Sequence, residues 1–228
     1  MKALPIIAVS TPYVYMNWSH LNYKHLNKAD TYAISHETDV GYDLQTSLIV
    51  SDQNGQPPAP VAQRLVSADG SYATYGEAKP TLPIQCHLDE VSDCIAYLED
   101  QGFSKPLVHL IDREGDSVGH IRRGEAAGCL WLVRVKDNPK IEHEGEAQAC
   151  KTIAQTLTFE KIRQVTYQGK QYWQWVAETS VRLTRPARPS QKKSKKPAVP
   201  GEPVEARLAG SRILSEDGDV LAEWRNGY

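Results

Sequence analysis

Asp112-Arg113-Glu114-Gly115-Asp116 places three acids and an arginine directly behind a short apolar run, Leu107 to Ile111. A carboxylate at that point has two ordinary chemistries. It can hold a divalent cation through hard oxygen ligands, as phosphoryl-transfer sites do, or it can start a helix by accepting a backbone N–H. Spacing alone leaves both open, because Ser117, Val118, Ile121 and Arg122 continue at helical intervals. The run before Asp112 is branched and bounded by Lys105-Pro106, which suits a buried parallel strand. In open α/β sheets, ligands and metals gather at the carboxyl ends of such strands, where Asp112 falls.

The same five residues resemble the "DREAD" signature around the second catalytic aspartate of bacterial insertion-sequence DDE transposases, the IS-four group, with Gly115 in place of alanine. The order of the surroundings agrees. A strand, the signature and a helix precede Cys129-Leu130-Trp131-Leu132-Val133-Arg134-Val135-Lys136, which resembles that family's strand ending in Arg-x-Lys. Upstream, Tyr13 to Met16 reads as a strand ending at Asn17, followed by a polar stretch and Tyr23. The resemblance puts the first catalytic aspartate at Asn17. An amide offers one neutral carbonyl oxygen where a carboxylate brings charge, so metal affinity there is expected to be weakened.

The elements that must position these residues follow in order. Tyr42–Val50 and Pro60–Val66 form a hairpin around Asp52-Gln53-Asn54-Gly55, with Pro57, Pro58 and Pro60 pointing to an edge position for the second arm. Ser67 to Thr81 reads as a polar loop. Leu88, Val91, Ile95 and Leu98 predict a core-facing helix with Asp89 and Glu90 in its first turn and Gly102 beyond its end. Beyond Asp137 the texture changes: Ile162–Val176 suggests a second hairpin around Gln168-Gly169, and Arg207–Trp224 a third around Asp217-Gly218. The expected fold class is α/β: an RNase H-like mixed sheet with flanking helices over 1–140, plus an inserted β-rich subdomain over 141–228. Trp173 and Trp175 are read as sheet packing and not as a base-stacking platform.

The chain has 228 residues, 40% of them hydrophobic, enough for one substantial core or a core plus an annex. A formal net charge of -2 gives no global signature of nucleic-acid binding, so DNA association has to come from local patches. One such patch is the loop 182–200, which carries Arg182, Arg185, Arg188, Lys192, Lys193, Lys195 and Lys196 among prolines. It reads either as a solvated loop or as a phosphate-binding segment whose hold weakens as salt rises. Arg134 and Lys136 are the stronger DNA candidates because a strand holds them near the acid, where they would position DNA without reading bases. Cys86, Cys94, Cys129 and Cys150 lack the paired spacing of a zinc site and read as reduced thiols. The apolar run Ala3–Val9 is short and interrupted by Pro5, and no stretch is long enough to span a membrane, so a cytoplasmic location is expected.

The resemblance implies DNA transposition by two-metal phosphoryl transfer, with Mg2+ or Mn2+ held by Asp112 and two further acids. It also implies transposon-end DNA as the partner, together with a second copy or a full-length transposase. The family's third acid belongs to a Tyr-x2-Arg-x3-Glu-x6-Lys pattern that this chain lacks. The expectation is therefore the middle part of a transposase, inactive alone. Two alternatives stand beside it: a non-catalytic DNA-binding or interfering protein, and an RNase H-like nuclease that would recruit Asp39, Asp43 or Asp116.

Overall fold

The computed structural model describes residues 12–23, 30–34, 36, 38–52, 55–56, 59–76, 86–187 and 197–227. Gln53, Asn54, Pro57, Pro58, Arg188, Lys192, Lys193, Lys195, Lys196 and the run Ala3–Val9, all used in the sequence reading, lie outside the described residues. The chain is α/β, with thirteen strands and three α-helices among the described residues. It divides into two compact units, Met1–Ile111 and Asp112–Tyr228. This boundary falls inside the stretch that the sequence reading assigns to the core.

The first unit contains β1 (Pro12–Asn22), β2 (Tyr32–Ala33), β3 (Val40–Ser51), β4 (Ala59–Ser67), β5 (Gly70–Ala73), α1 (His87–Glu99) and β6 (Val108–Ile111). Its sheet order is β5-β4-β3-β1-β6, with β2 beside β3. The first four strands of that order pair antiparallel, while β6 runs parallel to β1 from Tyr13↔Val108 to Met16↔Ile111. A parallel neighbour requires a crossover, and the segment carrying α1 supplies it. Val91, Cys94 and Leu98 of α1 cluster with Val14, Met16, Ile49, Ala62 and Leu107. The period-two alternation of β1 thus buries residues 14 and 16 under the helix and turns Asn17 to the opposite face. Gly41 permits the close β1–β3 approach, since a Cβ there would stand 2.0 Å from the Leu21 carbonyl oxygen.

The second unit opens with a single 3-10 turn, Arg113–Gly115, then α2 (Val118–Ala126), β7 (Leu130–Arg134), β8 (Lys140–His143), β9 (Glu146–Ala149) and α3 (Cys150–Thr156). Four longer strands follow: β10 (Glu160–Tyr167), β11 (Lys170–Leu183), β12 (Val204–Leu214) and β13 (Val220–Gly227). They order as β7-β13-β12-β11-β8-β9, with β10 pairing β11 off this path. The core brings Val118 and Ile121 of α2 and Cys150 and Ile153 of α3 together with Val181, Leu183 and Leu208. Glu144-Gly145 and Gln168-Gly169 both hold positive φ at two consecutive residues, the backbone of tight hairpin turns.

Several expectations change. β1 does not end at Asn17: β3 keeps pairing it through Trp18↔Gln45 to Asn22↔Gly41 after the parallel partner has stopped. The loop expected from Ser67 contains β5, because Ala68-Asp69 makes a two-residue reversal fastened by Asp69 N–H to Ser67 Oγ at 3.1 Å. The β8–β9 hairpin and α3 were not expected; the charges of Glu142, Glu144 and Glu146 obscure the alternation of the two short strands. Pro60 lies at a bulge on β4, in the part that precedes the β5 pairing at Arg64↔Ala73.

Candidate functional site

The β1–β6 register fixes where Asn17 and Asp112 fall. Its last pair is Met16↔Ile111, so Asn17 comes next within β1 and Asp112 comes next beyond the end of β6. Asp112 continues β6 with extended backbone, φ -71° and ψ -168°. Alternation assigns Asn17 to the face opposite α1. Asp112 also caps the 3-10 turn, its Oδ1 accepting the Glu114 N–H at 2.8 Å. Asp112 thus caps the turn through one of its two oxygens.

Asp116 does not cap α2. Its side chain is fully buried, Oδ2 accepting the Lys136 N–H at 2.8 Å and Oδ1 accepting from Arg185 Nη2. Arg122 holds the same region, donating to the carbonyls of Arg185, Gly201 and Glu202 at 3.1, 3.0 and 2.8 Å. Arg185 therefore serves a carboxylate inside the second unit. Arg182 is likewise engaged, by Glu142 at 2.9 Å and Glu205 at 2.6 Å. Arg134 and Lys136 are exposed at alternate positions, with Val133 and Val135 buried beside them. Two cationic side chains thus project together from the end of β7.

A second constellation was missed by the sequence reading except for its acid. Asp43, 2% exposed, stands opposite His20 on the paired strands and accepts from His20 Nδ1, from Tyr32 Oη at 2.6 Å and from His87 Nε2 at 3.2 Å. Burial alone would raise its pKa, but hydrogen bonds from His87, Tyr32 and His20 outweigh that and hold it at about 2. An ionised carboxylate only accepts, so both ring nitrogens facing it carry hydrogens. Trp18 stacks on His87 with centroids 4.1 Å apart. The one legible signal was alternation: Trp18 and His20 share a strand face, but their partner His87 lies far away in sequence.

A two-metal phosphoryl-transfer centre needs several carboxylates at close quarters. Here Asn17 brings a neutral oxygen, and Asp112 has one oxygen already bonded. Among the described residues, no group of three or more His, Cys, Asp and Glu side chains could hold a metal ion. Of the three acids that could compensate, Asp43 and Asp116 are buried among donors, and Asp39 lies in the turn before β3. No helix among the described residues is long and apolar enough to cross a membrane. In comparisons with known proteins, no family model and no curated protein matches the chain.

Proposed function

We propose that this chain is a DDE-transposase-type protein whose RNase H-like core associates with DNA ends but does not cut them by itself. The observation that carries the reading is the parallel β1–β6 register, whose last pair, Met16↔Ile111, directly precedes Asn17 on one side and Asp112 on the other. An acid at both places would give a cation two carboxylates; asparagine at one removes half of that charge. Two further features support the reading. The order β4-β3-β1-β6 joins antiparallel strands to a parallel one, as an RNase H-like sheet requires, and the antiparallel β10 to β13 suit an inserted β subdomain. Arg134 and Lys136 supply phosphate contacts that fix position and carry no sequence information.

The test is a plasmid-nicking and duplex-binding assay in Mg2+ or Mn2+. The expected result is duplex association that weakens as salt rises, without nicking. Robust cleavage that Asp112→Ala abolishes would overturn the inactive reading, and absence of any DNA association at low salt would overturn the DNA-associating one.

A further inference from the structure

We propose that the β10–β11 ribbon is a DNA-reading element that lies in the major groove of a duplex. The inference rests on the DNA-associating reading above and adds the surface that meets the duplex. From Lys161 to Ala177 the chain contains Lys161, Arg163 and Lys170 and no acid, in a protein whose formal net charge is -2. Cations here are concentrated locally, as a phosphate-binding patch requires when the whole field is not basic.

The geometry makes β10 an exposed edge strand whose hairpin tip extends beyond the next strand. β10 pairs with β11 alone, from Glu160↔Val176 to Tyr167↔Lys170, whereas β12 joins β11 only from Trp173 onward. The tip, residues 165–172, is therefore two-stranded, and Lys161, Arg163 and Gln164 follow directly behind it, opposite Trp175, Gln174 and Trp173, where β12 also pairs β11. Residues 160–164 are all exposed, and Ile162 is 54% exposed. Successive exposed residues on a strand mean that neither face is covered. A two-stranded ribbon of this kind fits the major groove, where glutamine pairs with adenine through two hydrogen bonds.

The side chains sort by role. Register places Gln164 opposite Trp173 and Thr166 opposite Gln171, on one face. Lys161 lies over the Trp173 ring at 3.9 Å, which holds its ammonium beside that face. Arg163 is anchored to Gln174 at 2.8 Å on the other face. Cations on both faces of a ribbon can reach the phosphates flanking a groove, leaving exposed Gln164 for a base edge. Charges on an edge strand also guard against strand addition. Strand guarding needs no cation on the face of Trp173, where Lys161 lies over the ring.

The test measures binding of the full chain to a labelled mixed-sequence duplex across a salt series. The variants are Lys161→Ala/Arg163→Ala/Lys170→Ala and Arg134→Ala/Lys136→Ala. Glutamine at the same three ribbon positions provides a variant that keeps the aliphatic stems and the hairpin. Both ribbon variants are expected to lower affinity roughly tenfold or more at low salt and to flatten the log–log salt dependence by about 1 per cation removed. If both bind as the parent does while the Arg134/Lys136 variant weakens, the ribbon inference fails and the DNA-associating reading stands. Equal losses on single-stranded DNA would also overturn a groove-reading ribbon, and failure of the parent to bind duplex at low salt overturns both.

Discussion

Asp116→Ala is expected to destabilise the second unit by about 4 kcal/mol, because it breaks a buried charge pair by removing one partner. The Asp116 side chain is fully buried and Arg185 is 22% exposed, so solvent cannot fully replace the missing carboxylate. The substitution also leaves the Lys136 N–H without its acceptor. Arg185→Ala should cost comparably, since it strands the buried carboxylate, and the double variant should lose much less than the sum. Four of the five tryptophans, Trp131, Trp173, Trp175 and Trp224, lie in this unit, so urea unfolding followed by their fluorescence reads the effect. A loss below about 1 kcal/mol for Asp116→Ala would show that the pair does not hold the segment as described.

Asp43→Ala is expected to cost the first unit about 3 kcal/mol, less than three charge-assisted hydrogen bonds would suggest. The discount has a structural reason: the His20 side chain is 49% exposed and that of His87 32%, so water can take over part of the bonding that Asp43 gave them. The pH dependence follows from the depressed pKa. Unfolded, Asp43 titrates near its ordinary value of about 3.9; folded, it titrates at about 2. Its contribution is therefore fully present above pH 4 or so and is lost as the pH falls through about 2. Trp18 is the one tryptophan of this unit and stacks on His87, so its fluorescence reports the site directly. An acid limb unchanged by Asp43→Asn would sink this account.

The sequence was most legible where one period ran uninterrupted. Leu88, Val91, Ile95 and Leu98 predicted α1, and the glycine-marked reversals at Gln168-Gly169 and Asp217-Gly218 predicted the two long hairpins, all of which form. Legibility failed where partners decide an outcome. Asn17 could not be read as a mid-strand residue, because what carries β1 past it is pairing with the distant β3. Asp116 looked like a cap or a spare ligand, and only the return of Arg185 shows it as a buried acceptor. Arg182 looked like a free loop cation until Glu142 and Glu205 arrived from two other strands. The Asp43 cluster needs four residues drawn from three strands and a helix, a convergence that no local spacing announces.

On the proposed reading, the amide of Asn17 weakens a cation position that Asp112 would share. Calorimetric titration of Mn2+ into the chain, Asn17→Asp, and Asn17→Asp/Asp112→Ala tests it most directly. The account predicts little or no binding by the chain as it stands, a clear gain of at least about tenfold in affinity for Asn17→Asp, and loss of that gain in the double variant. Equal titrations for all three proteins would contradict it, as would tight binding by the unaltered chain that survives Asp112→Ala.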